Sequence, residues 1–163
     1  MEGLIPIDDK FKCVLEFHEK FAHPVYNKNF LNLKLLKKRV NLIHEECSEL
    51  DLSFRLLEQS LDFPSNSTES IKWIAEILDA ITDILYVVYG FCVTFNLPVN
   101  SMFDRVHQSN MSKQNKDGTV SYNENEKVMK GDNFVPPNFI PLATLLYNTS
   151  KRMVDYDEKK VKT

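Results

Sequence analysis

Residues 29–60 read NFLNLKLLKKRVNLIHEECSELDLSFRLLEQS, a run with neither Gly nor Pro. Leu35, Leu36, Val40, Ile43, Cys47, Leu50, Phe54 and Leu57 recur in it at intervals of three or four. That is the period of an α-helix, so the run predicts one long helix over 29–60. Working outward, FPSNSTES at 63–70 reads as a loop, with Ser67 or Thr68 as cap of the next helix and Glu69 in its first turn. A second long helix is predicted over 69–96, ending before Pro98, and a third over 98–113. Upstream, KFKCVLEFHEKFA at 10–22 is a short amphipathic helix stopped at His23-Pro24. The fold class is therefore all-α: a bundle of three long helices plus a short N-terminal one.

After Lys113 the character changes. Residues 114–138 are polar, with a turn signal at Lys116-Asp117-Gly118-Thr119 and a short-strand candidate at Val120-Ser121-Tyr122. This segment reads as a polar loop following the last long helix, a floppy linker or a lid with Gly118 and Gly131 as its flexible points. An apolar patch, FIPLATLLY at 139–147, should pack on the body or on a partner, and the last ten residues should fray. The expected organisation is one domain over 1–140 and a C-terminal extension over 141–163.

The chain has 163 residues with 43% apolar and 26% charged, enough to bury a core. Its net charge of −3 argues against a general nucleic-acid binder. Gly numbers only 4 and no phosphate-binding Gly-rich loop occurs, which removes that route to nucleotide chemistry. Three distant cysteines, Cys13, Cys47 and Cys92, form no C-x-x-C pair, so zinc knuckles and disulfide frameworks are not indicated. No signal-peptide pattern opens the chain, and the apolar stretch 84–95 is about half a membrane span. A cytoplasmic protein without membrane or nucleic-acid partners is the expectation.

Two carboxylate groups carry the chemistry. One is Glu45, Glu46 and Glu49; the other is Glu76 and Asp79, followed by Asp83. Residues three or four apart share a helix face. Glu46 and Glu49 thus point one way on the first long helix, and Glu76, Asp79 and Asp83 one way on the second. No Lys or Arg alternates with them inside either E-x-x-[DE] group. Anions on an inward face lose hydration and repel, unless a cation neutralises them. A hard divalent ion such as Mg²⁺ suits four carboxylates from two helices. A solvated face on each helix is the bland alternative. A carboxylate-bridged di-iron bundle would need Glu-x-x-His motifs, and His44-Glu45 lacks the second His of a zinc protease.

Glu45-Glu46-x-x-Glu49 followed by Glu76-x-x-Asp79 resembles the E-E-x-x-E … E-x-x-D signature of the all-α nucleoside triphosphate pyrophosphatases, the MazG-like superfamily. Residues 106–113, VHQSNMSK, then Asp117-Gly118, then 127–137, KVMKGDNFVPP, are similar to a region of its phosphoribosyl-ATP pyrophosphohydrolase-like branch. One departure is Lys127, which follows Glu126 where that region has a Gly-Lys pair. The resemblance implies Mg²⁺-dependent hydrolysis of a nucleoside triphosphate between the α and β phosphates, Mn²⁺ being a substitute. It implies that Glu46, Glu49, Glu76 and Asp79 hold the metal and that Glu45 handles the water. Asp83 is a further ligand or an acceptor behind the ligands. Cations are expected around the phosphates: Lys113, Lys130 and Arg39, with Asn110 reading the base edge or sugar. A homodimer or homotetramer and a role in clearing nucleotides are implied as well. The alternatives are a non-catalytic helical scaffold and a phosphoribosyl-ATP pyrophosphohydrolase.

Overall fold

The computed structural model describes residues 7–62 and 67–161. Its five helices are α1 (Ile7–Lys20), α2 (Leu33–Leu61), α3 (Ser67–Phe95), α4 (Val99–Met111) and α5 (Ile140–Val161). No strand occurs among the described residues, so the all-α expectation holds; Tyr122 and Val128 form only an isolated antiparallel bridge. Of the loop expected at 63–70, residues 67–70 already belong to α3, while 63–66 and the extreme termini lie outside the described residues. Ser67 and Thr68 are already in the first turn of α3 rather than before it.

The helix ends show why some boundaries move. The first long helix starts at Leu33, not at residue 29, because a chain of asparagines takes the backbone into turns first. Asn27 Oδ1 accepts from Asn29 N at 2.8 Å, and Asn29 Oδ1 from Leu31 N at 3.1 Å. Asn32 Oδ1 then caps α2 by accepting from Leu35 N at 3.1 Å. Short polar side chains compete for the backbone in this way. α1 and α3 both stop on a left-handed residue, Ala22 at φ 53° and Asn96 at φ 52°. In each case a following N–H reaches back to the helix, His23 N to His18 O at 2.8 Å and Leu97 N to Cys92 O at 2.9 Å.

α2 and α3 form an antiparallel hairpin, and α1 lies along α3. The segment after α1 is tied to the end of α3, with Tyr26 N donating to Val93 O at 3.0 Å and Asn27 N to Thr94 O at 2.7 Å. Burial is deepest there: Val93 and Thr94 are fully enclosed, and Cys92, Phe95 and Leu97 make the core with Phe11, Phe30 and Leu36 packed on it. α3 is long and apolar enough to cross a membrane by length and composition, but four carboxylates and its packing along α2 mark it as a bundle helix.

The C-terminal apolar patch becomes a helix of its own. Pro141 sits in the first turn, where a missing N–H costs nothing. Ser150, fully buried, accepts from Leu31 N at 3.3 Å and donates to Leu146 O at 2.8 Å, which docks α5 on the body. An apolar cavity of about 420 Å³ remains between α5 and the core, lined by Phe30, Leu97, Met102 and Leu146 among others. Residues 154–161 continue α5.

The polar segment after α4 is a folded loop rather than a floppy linker. Met129 N donates to Ser121 O, Asn123 N to Lys127 O and Gly131 N to Lys113 O, all within 3.0 Å. Val135 N donates to Ser112 Oγ at 2.8 Å. Gly131 is a tight approach and not a hinge: a Cβ there would come within 2.6 Å of Lys113 O and would also collide with Asn115.

Candidate active site

A repeat of seven residues is two helical turns, so residues seven apart face the same way. Arg39, Glu46, Ser53 and Ser60 are such a row on α2, and Glu76, Asp83 and Gly90 on α3. The structure sets the rows against each other. Arg39 lies against Gly90 at one end, and the hydroxyls of Ser60 and Ser70 meet at 2.9 Å near the other. By the same step Glu46 falls opposite Asp83, and Ser53 opposite Glu76. The seam is therefore polar and made of small residues, with Ser53, Ser60, Ala80 and Gly90 buried in it. Small residues let two backbones come close, which is why a polar row can pack here at all.

The carboxylates gather along this seam and one flank of it. Glu46 and Asp83 are half-buried, while Glu45, Glu49, Glu76 and Asp79 are exposed. The Glu46 carboxyl is raised above its ordinary value, first by burial and then by the charges of Glu49, Asp83, Glu45 and Asp79. Carboxylates from both helices thus act on one group. Among the described residues none of these six carboxylates pairs with a Lys or Arg; the ion pair of α2 is Arg55 with Asp51 at 2.8 Å. An exposed hollow beside them is lined by Asn41, His44, Glu45, Ser48 and Glu49.

The donor set fits a hard divalent cation in kind: carboxylate oxygens from two packed helices, with no counter-charge from the protein. The side chains are not drawn into a ready-made cage, since no group of three or more metal-binding side chains converges among the described residues.

The expected phosphate-binding residues are dispersed. Arg39 is not on the open face: α1 covers it, leaving it 4% exposed, with Nη2 at 3.5 Å from His18 Nδ1 and Nε without a partner. The sequence placed it two turns from Glu46 correctly but could not show that α1 closes over that turn. Lys113 and Lys130 are brought near each other through the Gly131–Lys113 hydrogen bond, and Lys130 Nζ sits 4.6 Å over the Phe134 ring. Asn110 is exposed at the end of α4. The extended helix contacts are those of α2 with α3 and of α1 with α3, so α4 does not pack along either carboxylate-bearing helix.

Two features escaped the sequence reading. His18 is buried at 2% exposure, bonded to Pro24 O at 3.0 Å, and its pKa is lowered chiefly by burial. Around it stand aromatic rings from α1 and α3: Phe17 meets Tyr86 edge-on at 5.6 Å and stacks on His23 at 5.7 Å. The i, i+4 pair Phe17 and Phe21 was a visible signal.

Comparison with known families bears on this arrangement directly. The profile of phosphoribosyl-ATP pyrophosphohydrolase matches residues 14–110, from α1 through nearly all of α4, and includes every carboxylate described above. The chain belongs to the phosphoribosyl-ATP pyrophosphohydrolase family. That family lies within the MazG-like nucleoside triphosphate pyrophosphatase superfamily, and membership supports a pyrophosphohydrolase of the MazG-like type. The polar loop and α5 lie beyond the matched region. An uncharacterized protein of Acanthamoeba polyphaga mimivirus is 28% identical over 150 residues, covering 89% of this chain and 47% of that protein. The chain thus spans about half the length of the curated relative it matches.

Proposed function

We propose that this member of the phosphoribosyl-ATP pyrophosphohydrolase family is a Mg²⁺-dependent nucleoside triphosphate pyrophosphohydrolase. It would cleave an NTP or dNTP to the monophosphate and pyrophosphate. The observation that carries this is the set of unpaired carboxylates from α2 and α3 that converge electrostatically on Glu46. Glu46, Glu49, Glu76 and Asp79 would hold Mg²⁺ or Mn²⁺, with Asp83 beside them. The bound ion supplies charge neutralisation for the triphosphate and polarises the α phosphate. Glu45 orients a water and takes its proton as the oxygen attacks the α phosphorus. The bond from that phosphorus to the bridging oxygen breaks, and pyrophosphate leaves. Lys113 and Lys130 neutralise phosphate oxygens, and Asn110 reads the base edge or sugar. Arg39, enclosed under α1, supports the helix pair rather than the phosphates.

The hairpin exposes a large apolar surface. Val40, Phe54 and Leu61 on α2 and Ile71, Ile74 and Leu78 on α3 are all at least 36% exposed. Exposed apolar area of that extent marks an interface. A homodimer or homotetramer would cover it and set a neighbour's loop over the carboxylates; the cytoplasm and a nucleotide-clearing role fit this reading. The test is a panel of canonical and modified triphosphates, with phosphoribosyl-ATP, under Mg²⁺ or Mn²⁺, following pyrophosphate. Release that Glu49→Ala and Asp79→Ala abolish supports the enzyme. No release from any substrate would leave a helical scaffold. Sedimentation as a monomer at micromolar concentration would count against the assembly.

A further inference from the structure

The ring cluster at the end of α1 is not used by the mechanism above, yet it adjoins the site. Phe11 packs on the core formed by Cys92, Phe95 and Leu97, and Phe17, six residues later, meets Tyr86. α1 therefore runs antiparallel to α3, and its last turn heads toward Asp83. Phe21 sits in that last stretch, 4.6 Å from Phe17 between ring centroids. Phe17, Phe21 and Tyr86 are 37%, 57% and 37% exposed. Large rings left in water at this density call for an occupant.

Helix geometry fixes where the cluster lies relative to the carboxylates. Tyr86 is three residues after Asp83 and seven after Asp79, so it shares their side of α3, about 5 Å and about 10 Å further along the axis. That is the reach from the α phosphate of a nucleotide to its base. The other end of the cluster is cationic: the charges of Arg39 and Lys38 both act on His23. A hollow where Cys47, Leu50 and Phe54 adjoin Ile77 lies elsewhere on the hairpin, Ile77 being nine residues before Tyr86 and so on the opposite side of α3. The rings are continuous with the acidic face, Tyr86 lying within one turn of Asp83.

We infer that Phe17, Phe21 and Tyr86 form the platform on which the base of the bound nucleotide stacks. This rests on the pyrophosphohydrolase reading and adds the residues that select for a base. Stacking on an aromatic ring tolerates every base, so the platform favours nucleotides over other phosphoanhydrides without choosing strongly among bases.

The experiment compares wild type with Phe21→Leu and Tyr86→Leu, and with the ring-keeping variants Phe21→Trp and Tyr86→Phe. Substrates are the triphosphate turned over best and ribose 5-triphosphate, which has no base. The leucine variants should raise KM for the nucleotide about tenfold. Their KM for ribose 5-triphosphate should move by less than about twofold, and the ring-keeping variants should restore the nucleotide KM. Equal rises in KM for both substrates would mean a structural effect and overturn the platform. An unchanged nucleotide KM in the leucine variants would also overturn it while leaving the hydrolase reading intact. No turnover of any triphosphate by wild type would remove both.

Discussion

Arg39 on α2 lies against Gly90 on α3, so closely that a Cβ on that glycine would stand 3.5 Å from Nη1 and 3.2 Å from His18 Nε2. The glycine is a packing requirement and not a conformational one. Alanine would gain about 1 kcal/mol of helix propensity. Against this, His18 must yield by a few tenths of an ångström, and it is held by its bond to Pro24 O within a site 2% exposed. Overpacking of that kind costs about 1–3 kcal/mol. Gly90→Ala should therefore be destabilised by about 1 kcal/mol, a fall of about 3 °C in Tm. A Tm equal to or above that of wild type would show that His18 moves freely.

The same buried imidazole sets a pH dependence. Burial holds the pKa of His18 below its ordinary 6.5. The unfolded chain takes up the proton first as pH falls, so stability is full above the unfolded value and declines below it. Urea midpoints should fall between pH 7 and pH 5.5, with a slope of at most about 1.4 kcal/mol per pH unit from this group. His18→Asn should flatten that slope even if it lowers stability at both pH values. His23, also lowered by burial, leaves a residual slope.

Thiol reactivity should separate the three cysteines. Cys13 and Cys47 are exposed, while Cys92 is buried and its thiol is pushed up to about 11. The thiolate is the nucleophile, so a buried thiol of that pKa is inert at pH 8. Mass spectrometry after iodoacetamide should show two adducts on the native protein and a third only in denaturant. Alkylation of Cys92 in the native state would mean that the end of α3 opens.

How far the sequence could be read follows from what kind of interaction decides each feature. The helices were legible because their period is local, and the two carboxylate groups because i, i+3 and i, i+7 spacing fixes a face. The stripe of Glu76, Asp79 and Asp83 was expected to face inward; Asp83 is half-buried and its charge acts on Glu46, while Glu76 and Asp79 are exposed. Burial of Arg39 was not legible, since it depends on α1 crossing α2 at that turn, a contact between residues 18 and 39. Nor was the role of Gly131, which reads as a flexible point in isolation and proves to be the one residue that fits beside Lys113 and Asn115. The start of α2 moved to Leu33 because asparagine side chains outcompeted the helix. α5 was hidden by Pro141, which breaks a helix interior but is tolerated in a first turn.

The fit at Gly131 carries a prediction of its own. Alanine there would collide with the backbone of Lys113 and Asn115 and break the bond from Gly131 N to Lys113 O, now 2.9 Å. Lys113 and Lys130 would then separate. Gly131→Ala should leave the melting of the helical body within about 2 °C of wild type, as a loop change away from the core does. It should raise KM for a triphosphate several-fold. Unchanged kinetics would show that the loop lysines do not touch the phosphates.

The last prediction turns on the sign of the charge around Glu46. Its raised pKa means that the fold prefers the neutral form, so the ionised form destabilises the metal-free protein. The penalty is complete above the folded pKa and relieved as pH falls through it. Glu46→Gln removes the repulsion from Glu49, Asp83, Glu45 and Asp79 while keeping the shape. At pH 7.5 in chelator the variant should melt about 2 °C above wild type. Adding millimolar Mg²⁺ should raise the Tm of wild type, because a cation binding only the folded state stabilises it by mass action. The variant should respond less, and should release no pyrophosphate. Stability and activity are then opposed at one carboxylate, as expected where like charges are held together for a ligand. If Glu46→Gln melts below wild type in chelator and responds equally to Mg²⁺, the acidic seam is a solvated helix face and binds no metal.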